Sequence, residues 1–108
     1  MTVASNTTAD NLLLQPYREE LDRINQRLVD LLAERMRICR HIARVKATHG
    51  IPMMQPQRIG STLNQVRALS GSRQLRPEYL SGLFQLIIEE TCAEELRIMA
   101  PGPDACAR

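Results

Sequence analysis

The stretch that decides the fold runs from Tyr17 to Gly50, YREELDRINQRLVDLLAERMRICRHIARVKATHG. Its apolar positions fall at Tyr17, Leu21, Ile24, Leu28, Leu31, Ile38, Ile42 and Val45, alternating steps of four and three that mark a heptad seam along one helix. One gap breaks the series, and Arg35 fills it in register, so a cation stands where every neighbour is a hydrophobe. Pro16 suits the first turn of such a helix, and Gly50 as the C′ residue with Pro52 beyond it predicts a stop near His49. At about 1.5 Å per residue, thirty-odd residues span roughly 50 Å, against about 30 Å for a compact domain of this length. The seam therefore needs apolar surface from a second chain, and an intertwined homodimer is expected.

Beyond Gly50, the breaker-rich GIPMMQPQR (Gly50 to Arg58) leads into a shorter helix opened by Pro56 and carried by Ile59, Leu63, Val66 and Leu69. Ser70, Gly71 and Ser72 end it. A third helix is expected after Arg76, with Pro77 and Glu78 in its first turn, running to about Met99. Its stripe reads Leu80, Phe84, Ile87 and Ile88, then continues through Thr91 and Glu95 at the same spacing. The fold class is all-α, three helices in the order long, short, medium. Residues 1–11 read as a flexible lead, 12–100 as the helical domain, and 101–108 as a flexible tail.

Composition fits this reading. The chain has 108 residues, 44% hydrophobic and 24% charged, which suits one folded domain rather than a disordered chain. Three aromatic residues and no Trp leave no base-stacking platform, and a net charge of +2 is too weak for a nucleic-acid footprint. No nucleic-acid partner is expected. No apolar run reaches membrane-spanning length, and the N-terminus carries no basic signal region, so no membrane contact and a cytoplasmic location are expected. Cys39, Cys92 and Cys106 lack the spacing of a zinc site or a disulfide framework, so neither a metal site nor a disulfide is expected. His41 and His49 read as solvated, and Met53 and Met54 as loop packing.

Polar residues on apolar faces carry the functional signal. Lys46 lies eleven residues beyond Arg35 and returns to nearly the same helix face, so both cations look inward and each requires an anion. That anion is either a carboxylate of the chain, Glu95 or Asp30, or one belonging to a ligand. Arg58, at the start of the second helix, is a third cation near the loop that follows Lys46, and it makes self-pairing harder to arrange. Arg18 is too far along the helix to share a site with Lys46 of its own chain, but in an antiparallel dimer it could approach the partner's. For Thr91 and Glu95 two readings stand. Thr91 back-bonds to its helix while Glu95 pairs with Arg35, or a protonated Glu95 donates to a ligand oxygen.

The segments LVDLLAERMRICRHIARVKATHGIPMMQPQR and YLSGLFQLIIEETCAEEL together resemble the all-helical chorismate mutase family over about residues 12 to 100. The resemblance implies a cofactor-free enzyme that binds a small dicarboxylate and rearranges it by an intramolecular Claisen reaction, with no nucleophile and no proton transfer. It places Arg35, Lys46, Arg58, Thr91 and Glu95 in one chain's site and Arg18 from the partner's chain. The arginines would hold both carboxylates in the compact diaxial conformer, while Lys46 and Glu95 stabilise charge on the breaking ether oxygen. Each such donor is typically worth about 3 to 4 kcal/mol of barrier. Where the common bacterial pattern has Gln near the ether oxygen this chain has Glu95, which must be protonated to donate, so an acid-shifted rate profile is expected. Where that pattern has acids near the C4 hydroxyl, this chain has Gln55 and Ile59. With PMMQPxR, these departures are most similar to the antibiotic-pathway branch that acts on 4-amino-4-deoxychorismate. Chorismate is the second candidate substrate. Isochorismate-pyruvate lyase, which resembles the same fold, is the rival enzyme, and a dimeric helical adaptor with Arg35 setting register is the non-enzymatic alternative.

Overall fold

The structure, a computed structural model, describes residues 3–100, with side chains from Thr8 onward. It contains three α-helices, α1 (Val3–His49), α2 (Pro56–Ser70) and α3 (Pro77–Met99), with a 3₁₀ turn over Gly71–Arg73 and no strand among the described residues. The long, short, medium order and the ends of α2 and α3 agree with the sequence pattern. The start of α1 does not. The helix begins at Val3 and runs through Pro16, so the lead expected over residues 1–11 is helical from Val3 onward. Leucine and glutamine are strong helix formers at 12–15, and a mid-helix proline removes one hydrogen bond, here to the Leu12 carbonyl, without obliging the chain to turn. Residues 1 and 2 and the tail expected over 101–108 lie outside the described residues.

The end of α1 follows from Gly50, whose φ of 67° is open to a residue without a Cβ. The Ile51 N–H donates to the Lys46 carbonyl at 2.9 Å, closing the helix in a Schellman turn. The same motif recurs after the 3₁₀ turn, where Leu75 N–H reaches the Ser70 carbonyl and Gln74 N–H that of Gly71. Here Gln74, at φ 56°, takes the left-handed position, while Gly71 stays helical.

The chain divides into two units after Arg35. The first is the N-terminal part of α1 alone. Its seam lies open to solvent: Leu21, Leu28 and Leu31 are each more than half exposed, and Tyr17 is 67% exposed. The second unit holds the rest of α1 with α2 and α3. Its buried hydrophobic residues are only Cys39, Ala43 and Val66 among the described residues, and it buries Ser70, Thr91 and Glu95 besides. Phe84, Ile87, Ile88 and Leu63 reach only partial burial. So small an apolar interior falls short of what a chain of this length normally buries on folding. None of the described helices is long and apolar enough to cross a membrane.

Candidate active site

The second unit gathers its polar chemistry around Lys46. The backbone of this residue caps α1, and its side chain turns inward from the last turn, where the helix dipole favours a cation. The ammonium donates to the Met53 carbonyl at 2.8 Å and to Oε1 of Glu95 at 3.0 Å. Both ends of the ion pair are largely withdrawn from water, with side chains 13% and 9% exposed. An ammonium has three protons, and these contacts use two. The third can meet a ligand oxygen.

Glu95 reaches this point because α3 carries Thr91, Cys92 and Glu95 along one face. Thr91 Oγ1 donates back to the Ile87 carbonyl at 2.9 Å, as the first of the two sequence readings expects. Glu95 takes Lys46 as its partner. Between them Cys92 is a free thiol whose pKa is pushed up, first by burial and next by the Glu95 carboxylate, with Lys46 opposing. On the neighbouring position, Glu94 accepts from Arg40 Nε at 2.6 Å and from the guanidinium of Arg97. Those hydrogen bonds, Arg40's first, hold the Glu94 carboxyl below the ordinary carboxylate range. Through them, α1 and α3 are tied together one residue from Glu95.

Gln55 opens α2, its carbonyl accepting the N–H groups of Arg58 and Ile59 at 2.9 and 3.2 Å. Arg58 is exposed in the first turn, and its guanidinium forms no ion pair among the described residues. Ile59 turns towards α3 and borders a cleft of about 280 Å³ with Met54, Leu63, Gln85, Ile88, Glu89 and Cys92. Of the five residues the resemblance assigns to one chain's site, Lys46, Arg58, Thr91 and Glu95 lie in this unit together with Gln55 and Ile59. Arg18 and Arg35 belong to the first unit. Arg18 is exposed and donates to Asn11 Oδ1 at 2.9 Å, and Arg35 is half-buried.

Four contributors escape the sequence reading. Met53 and Met54, read as loop packing, supply the carbonyl that holds Lys46 and part of the cleft wall. A carbonyl is common to every residue, so no residue type signals it. Gln85 and Glu89, one turn apart on α3, belong to the cleft as well, and their i, i+4 spacing with Cys92 three residues on is the pattern that could have found them. No group of His, Cys, Asp and Glu able to hold a metal ion occurs among the described residues.

Residues 17–96 match the family model for chorismate mutase type II. Among curated proteins, the chain is 34% identical over 87 residues to a 4-amino-4-deoxychorismate mutase of Streptomyces venezuelae, covering 81% of this chain and 84% of the relative. It is 34% identical over 89 residues to a 4-amino-4-deoxychorismate mutase of Streptomyces pristinaespiralis, covering 82% and 69%. A bifunctional chorismate mutase/prephenate dehydratase of Buchnera aphidicola is also 34% identical, over 84% of this chain but only 23% of that longer protein. The match spans most of all three helices and includes Lys46, Thr91 and Glu95. With these likenesses beside the buried cation at Lys46, the chain belongs to the type II chorismate mutase family and is an isomerase.

Proposed function

We propose that the protein catalyses the intramolecular Claisen rearrangement of 4-amino-4-deoxychorismate to 4-amino-4-deoxyprephenate, as a cytoplasmic homodimer whose site takes Arg18 from the partner chain. The observation that carries this reading is the Lys46 ammonium, held out of water by Met53 and Glu95 with one proton uncommitted. A cation fixed in advance spends no reorganisation when negative charge develops on the breaking ether oxygen. Arg58, which forms no ion pair among the described residues, and Arg35, in register on the seam, are the groups for the two carboxylates. The exposed seam of the first unit supports the dimer, since Leu21, Leu28 and Leu31 cost free energy in water until a second chain covers them.

The choice of the 4-amino substrate is supported by the two Streptomyces relatives. The bifunctional relative supports chorismate as the second substrate. Incubating the protein separately with 4-amino-4-deoxychorismate, chorismate and isochorismate, and identifying products by NMR, tests the reading. Rearranged 4-amino product formed faster than prephenate is expected. Pyruvate released from isochorismate, with no rearrangement of the other two, overturns it in favour of the lyase.

A further inference from the structure

Helix α3 carries two adjacent carboxylates, Glu94 and Glu95, and α1 reaches both. Lys46 meets Glu95 at 3.0 Å, and Arg40 Nε meets Glu94 at 2.6 Å. Successive side chains leave a helix about 100° apart, so the two carboxylates project in different directions from nearly the same height on α3. On α1 their partners stand six residues apart, about 9 Å along the axis. A single tie fixes how near two helices lie. Two ties that diverge in this way also fix the rotation of α3 about its own axis.

That rotation decides which acid meets Lys46. Glu94 and Glu95 are chemically identical, and a roll of about 100° with a shift of about 1.5 Å would bring the ammonium to Glu94 and turn Glu95 away. Apolar packing resists such a roll only weakly. The buried hydrophobic residues of α1 are Cys39 and Ala43, both small, and no large side chain is fully buried among the described residues. Arg97, three residues beyond Glu94 on the same helix, donates from Nε to Oε1 of that carboxylate at 3.0 Å. Arg97 thus braces Glu94 from within α3, whereas Arg40 holds it from α1.

We infer that Arg40 is a positioning residue, holding Glu94 from α1 so that α3 sits at the rotation in which Glu95, rather than Glu94, meets Lys46. This rests on the rearrangement reading above, in which the Lys46 ammonium acts at the breaking ether oxygen. Arg40 itself touches no reacting atom. Its loss frees α3 to roll and changes the surroundings of the ammonium, so the effect falls on kcat. Arg35 and Arg58, the groups for the two carboxylates, stay as they are, and KM changes little.

The test compares kcat and KM for 4-amino-4-deoxychorismate and for chorismate in the wild type, Arg40→Met and Arg97→Met, each checked for helix content and dimer mass. Both substitutions take one positive charge from Glu94, but only the first cuts a link between helices. Arg40→Met is expected to lower kcat about tenfold, within the roughly hundredfold that a 1 Å misplacement can cost, and Arg97→Met to stay within about twofold of wild type. Arg40→Lys returns a cation to Glu94 and is expected to recover part of the loss. Should Arg40→Met fail to fold, the comparison passes to Arg40→Lys against Arg97→Lys, with a smaller difference in the same direction expected. Equal losses at the two positions, a loss carried by KM with kcat unchanged, or an Arg40→Met enzyme within about twofold of wild type overturns the positioning role and leaves the rearrangement intact. Turnover of neither compound by the wild type overturns the rearrangement itself.

Discussion

Replacing Lys46 by Met removes one charge and leaves a flexible side chain of similar length in its place. The structure sets two separate costs. Glu95, only 9% exposed at its side chain, loses its counterion, and breaking a buried pair by taking one partner costs about 3 to 5 kcal/mol. The lower end applies because both side chains keep some contact with water. The Met53 carbonyl loses its donor as well, adding about 1 kcal/mol. In the reaction, the loss of one preorganised donor lowers kcat by about 10² to 10³-fold. The double variant Lys46→Met/Glu95→Gln separates the two costs, since a neutral amide leaves no orphan charge. It should regain about 2 kcal/mol of the lost stability and none of the lost rate. Urea unfolding at fixed protein concentration reads the first quantity, and initial rates on the rearranging substrate read the second. A Lys46→Met enzyme within about threefold of wild type would refute the catalytic argument. A double variant no more stable than the single one would refute the ion pair.

Two further predictions concern stability. Gln74 holds a left-handed conformation that costs an L-residue about 1 kcal/mol, so Gln74→Gly should raise the thermal midpoint by a few degrees. A lower midpoint would show that the Gln74 side chain contributes more than its backbone strain removes. Glu94 is held below the ordinary carboxylate range by Arg40 and Arg97. A depressed folded pKa gives stability that is fully present above the unfolded value, about 4.3, and is lost as the pH falls through the folded one. The stability gap between wild type and Glu94→Gln should therefore close as the pH is lowered below that value. A gap that does not change between pH 7 and pH 3 would contradict the link.

Much of the site was legible because burial of charge leaves a mark in a periodic pattern. Arg35 stands out as the cation filling a heptad step, and Thr91 and Glu95 as polar residues continuing an apolar stripe. The stop of α1 and the starts of α2 and α3 were legible too, since Gly50 and the prolines at 56 and 77 act locally. What did not show were features without a residue-type signature. The Met53 carbonyl depends on the path of a loop, and the left-handed residue after the 3₁₀ turn is Gln74 although Gly71 stands three positions earlier. The N-terminal end of α1 was misplaced because Pro16 is as compatible with a helix start as with a tolerated interior break, and only the course of residues 3–15 distinguishes them. The partner of Glu95 was open in the sequence because Arg35 and Lys46 share nearly one helix face, and the chain delivers Lys46.

The claim beneath the whole account is that cations from two chains complete one site, and mixing two crippled variants tests it most directly. Arg18→Ala and Lys46→Met are each inactive in their own homodimers under this account. In a mixed dimer one site carries both lesions and the other carries neither. Random re-pairing of equal amounts should restore about one quarter of wild-type activity, since about half the dimers are mixed and each holds one intact site. Activity that stays at the sum of the two separate variants after subunit exchange would contradict a shared site.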